Sequence, residues 1–196
     1  MAHQSMVAAV GAAFATLLFA VGCASDNRGE SGSPRMTTSA VPFDRAFIDA
    51  MVPHHESAIE MARVALRAGL SQTDLIAVAQ DIIDGQQIEI GDMRSWREDW
   101  FGSRVTDPQG AAGLGLSVEA MGMNHGASDI NGAEDVNRAF AAAMIPHHEG
   151  AIKMAEMALE RAEHDEIRRL AENIINAQEE EIAILEPHAE GSHHGS

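Results

Sequence analysis

From Phe43 onward, apolar side chains return every three to four residues, the spacing of a helix with one buried face. Phe43, Phe47, Met51, Ala58, Ala62 and Leu66 share one stripe and predict a helix from Phe43 to about Gly69. Asp44 suits the helix dipole, Gly69 a C-terminal stop, and Ser71 the N-cap of the next helix. That helix is expected from Ser71 to about Trp100, with Leu75, Ile82, Ile83, Ile90 and Met93 toward the core. The pattern then lapses. Phe101 to Asp129 holds six glycines and one proline and reads as a loop, disordered or ordered only when metal binds. Helical spacing returns from Ala133 to about Ala162 and from about His164 to Glu186, where Pro187 should end it. Short links make two antiparallel hairpins, residues 43–100 and 133–188, joined by the Gly- and Met-containing linker 101–132. Neither hairpin can bury its apolar face alone, so the expected fold is an all-α four-helix bundle of two repeated hairpins.

The hairpins repeat in sequence as well as in pattern. Met51-Val52-Pro53-His54-His55-Glu56-Ser57-Ala58-Ile59-Glu60-Met61 returns, 93 residues on, as Met144-Ile145-Pro146-His147-His148-Glu149-Gly150-Ala151-Ile152-Lys153-Met154. After a one-residue deletion near the turn, Ile82, Ile83, Gln86, Glu89 and Ile90 correspond to Ile174, Ile175, Gln178, Glu181 and Ile182. A proline inside a helix removes one hydrogen bond and crowds the carbonyl four residues back, so kinks or restarts are expected at Pro53 and Pro146.

The beginning of the chain has a different character. Met6 to Gly22 is an uncharged apolar run, short for a membrane span and ending in small residues, as an export signal does. Residues 1–22 are therefore read as a signal peptide. Ala20-Val21-Gly22-Cys23 resembles a bacterial lipoprotein cleavage box, which implies lipid on Cys23 and attachment to a membrane of the cell envelope. The alternative is a soluble secreted or periplasmic protein. Residues 23–42, rich in Ser, Gly, Thr and Pro, read as a flexible tether. Residues 189–196, with His193 and His194, read as a tail.

Composition narrows the chemistry. Thirty Asp and Glu against 13 Lys and Arg give a net charge of -17, which repels nucleic acid and attracts cations. With one cysteine, an internal disulfide and a Cys-rich metal site are excluded, so a soft-metal site must use Met sulfur and His nitrogen. On a wheel of about 100° per residue with Met51 at 0°, His55 falls near 40°, His54 near 300° and Met61 near 280°. Ala58, Ala62 and Ala65 lie between them and leave room for an ion or a close helix neighbour. The second copy repeats this with Met144, His147, His148 and Met154, floored by Ala151, Ala155 and Ala158.

Imidazole with thioether suits copper, Cu(I) through Met and His and Cu(II) through His, whereas zinc rarely uses Met. Gln86, Glu89, Gln178 and Glu181 are placed to orient the imidazoles from the partner helices. Met121, Met123 and His125 in the linker form a possible accessory cluster, while Glu56 and Glu149 should face solvent. The rival reading needs no metal: the His pairs lock the hairpins together in a structural or interaction module. A di-iron carboxylate bundle would need Glu-x-x-His pairs on two helices, and none of the four predicted helices carries one. No Gly-x-Ser-x-Gly, phosphate loop or His-Glu-x-x-His occurs, so no enzyme is expected.

At the repeated phrase the chain resembles a bacterial family known as Domain of Unknown Function 305. The matching pattern is Phe-x-x-x-Met-[Ile/Val]-Pro-His-His-x-x-Ala-Ile-x-Met followed by Gln-x-x-Glu-Ile. It runs from Phe47 to Met61 with Gln86, Glu89 and Ile90, and from Phe140 to Met154 with Gln178, Glu181 and Ile182. The resemblance covers about residues 43–188. It implies a ferritin-like helical bundle in exported proteins, some of them associated with periplasmic copper binding and resistance. Leu185 stands where the first copy has Met93, so a sulfur ligand there would be unique to the first repeat.

Overall fold

The computed structural model describes residues 41–107 and 109–190. The signal peptide, Cys23, most of the tether, and the tail beyond Glu190 lie outside the described residues. Those described form six helices and no strand: α1 (Phe43–Ala68), α2 (Thr73–Phe101), α3 (Gly110–Leu114), α4 (Ala127–Ile130), α5 (Val136–Arg161) and α6 (Asp165–Ala189). None of these helices is long and apolar enough to cross a membrane.

Local chemistry sets the helix ends. Gly69 closes α1 in the left-handed conformation, φ 103°, and its N–H bonds the Ala65 carbonyl. Asp135 caps α5 by accepting from the Arg138 N–H. Ser71 does not cap α2. The α2 N-cap is Gln72, and the N–H groups of Ser71 and Gln72 both donate to Asn137 Oδ1 in the first turn of α5. The turn's free donors are thus satisfied across the bundle, where local spacing cannot reveal the partner.

At Pro53 and Pro146 a restart is excluded, and Pro187 does not end its helix. α1 and α5 each run as one helix through Pro53 and Pro146, with no restart, and α6 passes Pro187 to end at Ala189. Buried residues flank Pro53 and Pro146 on both sides, so packing holds the helical path despite the lost hydrogen bond.

Cross-helix pairs fix the arrangement. Asp49 meets Arg97 and His55 meets Glu89, so α1 and α2 are antiparallel. Asp44 near the start of α1 accepts from the Glu163 and His164 N–H groups just beyond the end of α5, and Ser71 meets Asn137. α1 and α5 are therefore antiparallel too. The apolar core falls into two clusters. One holds Phe47, Ile48, Met51, Met93, Met154, Ile167 and Ile174; the other holds Met61, Leu75, Ile82, Phe140, Met144 and Leu185.

The linker is not the disordered segment its glycines suggested. α3 and α4 pack against α1, and Leu114, Met121 and Ile130 are buried. Its start is fastened by a buried ion pair: Arg97 Nε donates to Asp49 Oδ1 at 2.5 Å, Arg97 Nη1 to the Ser103 carbonyl at 2.7 Å, and the Asp107 N–H to Asp49 Oδ1 at 3.0 Å.

Candidate metal centre

Both helices that carry the repeated phrase turn their His pairs into the bundle. His54 is 2 % exposed, and His55, His147 and His148 are 0 % exposed. Because α1 and α5 cross antiparallel at this point, His54 meets its own counterpart. The ring centroids of His54 and His147 are 3.8 Å apart, with 39° between ring planes. His55 and His148 each lie 6.4 Å from their neighbour in sequence. By these contacts the four rings form one bent row drawn from both repeats, His55, His54, His147, His148, whose two ends both face α2 and α6.

Both ends of the row rest on carboxylates of the partner helices, Glu89 and Glu181, which line one cleft. His55 donates its Nε2–H to Glu89 Oε2 at 2.7 Å. His148 Nε2 lies 2.6 Å from Glu181 Oε2, but the approach is too far out of line for a hydrogen bond, and both atoms are left without a hydrogen-bond partner. Proximity and geometry disagree at this pair. The geometry decides what the contact contributes, so it is an electrostatic contact and weaker than its counterpart. In the middle of the row, His54 donates Nε2–H to the Met121 carbonyl at 2.9 Å, while neither nitrogen of His147 has a partner.

These contacts assign the ring protons. A carbonyl and a carboxylate only accept, so His54 and His55 carry hydrogen on Nε2 and, when neutral, a lone pair on Nδ1. The Nδ1 atoms of all four histidines are buried and unpartnered. Burial, with His55 nearby, pulls the His54 pKa down from 6.5 to about 3, against a smaller upward effect of its bond to Met121. Burial first, then the charges of His54, His148 and His55, holds His147 well below the usual histidine range. Both rings are therefore neutral at physiological pH, the state in which imidazole binds a metal.

The sulfurs lie on either side of this row along the helices. Met51, Met61, Met144 and Met154 are all 0 % exposed. Met51 and Met154 belong to one core cluster and Met61 and Met144 to the other, so each cluster takes one of these four thioethers from each repeat. Glu56 and Glu149 face solvent. The accessory cluster divides: Met121 is buried, Met123 half-buried, and His125 exposed with Nδ1 3.5 Å from Asp129 Oδ2. Among the described residues no three His, Cys, Asp or Glu side chains converge on one point. An ion at the row would thus complete its shell with thioether sulfur or water. Buried imidazole lone pairs and buried thioether sulfurs are together a donor set for a soft cation.

Sequence spacing missed the part played by the linker backbone. Gly122, at φ 69°, and Gly150 interlock: a Cβ on Gly150 would lie 2.0 Å from the Met121 oxygen, and one on Gly122 would lie within hard contact of the Pro146 carbonyl. The one available signal was Gly150 itself, where the first repeat has Ser57.

The family described as Domain of unknown function (DUF305) matches residues 44–188. No curated protein sequence matches the chain. Among solved structures, CopM in its Cu(I)-bound form superposes with a TM-score of 0.63 at 29% identity, over 76% of this chain and 97% of CopM. CopM has also been solved in Cu(II)- and Ag-bound forms. A DUF305 fragment from Deinococcus radiodurans gives a TM-score of 0.60 at 26% identity, over 77% of this chain and 97% of that one. A DUF305 protein from Streptomyces coelicolor gives 0.64 at 23% identity, over 74% and 90%, a likeness of fold.

Proposed function

The chain belongs to the DUF305 family, and we propose that it is an exported copper-binding protein, lipid-anchored through Cys23, that buffers copper and carries out no catalysis. The observation that carries the reading is the row of four buried imidazoles whose Nδ1 atoms all lack a partner. An unpartnered buried polar atom is costly unless something binds it. Four in one row, with thioethers on either side, make a soft cation the natural occupant. CopM, with its Cu(I)-, Cu(II)- and Ag-bound forms, is similar in fold at 29–30% identity and supports that choice. Neutral imidazole and thioether favour Cu(I) over Cu(II). His54 and His147 would be the central nitrogen ligands and His55 and His148 the outer ones. Met51, Met154, Met61 and Met144 would supply sulfur. Glu89 and Glu181 would orient the outer rings.

The structural reading has one observation in its favour: no three His, Cys, Asp or Glu side chains converge among the described residues. One experiment separates the two. The apo protein is titrated with Cu(I) against a chelator, beside a variant with His54, His55, His147 and His148 changed to Ala. Copper binding predicts an affinity loss larger than the roughly 10–100-fold that losing a mere supporting group costs, with helical circular dichroism retained. The structural reading predicts a variant that unfolds, and a parent whose melting temperature copper leaves unmoved.

A further inference from the structure

The imidazole row is sealed from water, so a cation needs a way in. On one side the linker closes it, with Met121 and Gly122 set backbone-to-backbone on α5. The side facing α2 and α6 is built differently. These two helices enclose a cleft of about 160 Å³ lined by Asp81, Gln86, Glu89, Gln178 and Glu181, with no Lys or Arg in its walls. Two of these lining groups, Glu89 and Glu181, meet His55 and His148. Gln86 and Gln178 are 5 % and 3 % exposed, and the Oε1 atom of each has no donor. They hold equivalent places in the two repeats, and neither bonds an imidazole, so the orienting role the sequence suggested for them is not theirs. A buried acceptor oxygen with nothing to accept from is satisfied by a cation as well as by a water.

We propose that this cleft is the cation entrance to the imidazole row, an inference that rests on the copper reading above. Asp81, Glu89 and Glu181 draw the ion in, and the Gln86 and Gln178 oxygens replace water around it during passage. Oxygen binds a soft monovalent cation weakly, whereas imidazole and thioether bind it strongly. The donor order along the path, oxygen outside and nitrogen and sulfur within, therefore drives the ion inward and keeps the glutamines from retaining it.

The test uses the full chain with Cu(I) delivered from a chelator and, separately, aqueous Ag(I). Changing both Gln86→Leu and Gln178→Leu removes the two oxygens at nearly constant volume. Loading and release should each slow about tenfold or more, with affinity held within about threefold, because a passage residue alters both rates together. Asp81→Asn is exposed and leaves the core untouched; it should slow loading by about two- to threefold in low salt, an effect that high salt abolishes. Parental rates in the folded double variant overturn the entrance, and so does lost affinity at an unchanged loading rate. If the double variant fails to fold, Asp81→Asn decides, and parental loading in low salt overturns it. A parent that takes up neither ion removes the copper reading and this inference with it. A parent that binds tightly while its variants load normally removes the entrance alone.

Discussion

His54 and His147 hold the same place in two copies of one phrase and touch each other, yet the chain treats them unequally. His54 is held by the Met121 carbonyl, and His147 is held by nothing. On the outer flanks His55 makes an aligned bond to Glu89, while His148 and Glu181 approach without aligning. In the middle of the row the difference comes from connectivity. Two hairpins have one linker between them, and its Met121–Gly122 backbone lies on the second copy at Pro146 and Gly150 while the Met121 carbonyl reaches His54 of the first. A repeated sequence therefore need not give a symmetric site, because the segment that joins the repeats exists once.

The largest break in the comparison should come from making the second copy like the first. Gly150→Ser places a Cβ 2.0 Å from the Met121 oxygen, so the linker backbone must move. The expected loss, read by denaturant unfolding, is about 2–4 kcal/mol. The reciprocal Ser57→Gly removes a small half-buried side chain and should cost about 1 kcal/mol or less, the helix propensity difference. Equal losses would show that the linker does not distinguish the repeats.

Acid should act on the centre next. His54 has a folded pKa of about 3 against 6.5 unfolded, so the unfolded chain binds the proton first as pH falls. Stability is full above pH 6.5 and declines progressively toward pH 3, at about 1.4 kcal/mol per unit where only the unfolded ring is protonated. His147, also held low by burial, adds a decline of the same sign. Melting temperature measured against pH should flatten over this range in His147→Asn. A parent equally stable at pH 6.5 and pH 4.5 would contradict the neutral, buried assignment.

The smallest contrast lies at the flanks. Glu89→Gln weakens an aligned, charge-assisted bond and should cost about 1–2 kcal/mol, whereas Glu181→Gln should cost less than about 1 kcal/mol. The difference between the two unfolding free energies checks this, and a larger loss at Glu181 would reverse the assignment.

Much of this architecture was legible in the chain. The stripe from Phe43 to Leu66 and its repeat identified the long helices, because a buried helical face leaves a periodic trace. The phrase itself placed the four histidines and four methionines on buried faces. The meeting of His54 with His147 left no such trace, since it depends on where α1 and α5 cross. The linker misled for a physical reason. Its order rests on isolated anchors, Leu114, Met121 and Ile130, and on the backbone contact of Gly122 with α5; glycine-rich composition reads as slack whether or not a second backbone lies against it. Ser71 was misassigned likewise, because its N–H and that of Gln72 are satisfied by Asn137, far away in sequence.

The crossing of α1 and α5 has one last consequence. Each half brings a single imidazole to the meeting point, so two unconnected halves would have to find each other by collision, and dilution would scatter them. Joined in one polypeptide, the halves see each other at an effective concentration on the order of millimolar, whatever the abundance of the molecule. The centre therefore stays assembled in single molecules, however scarce the protein.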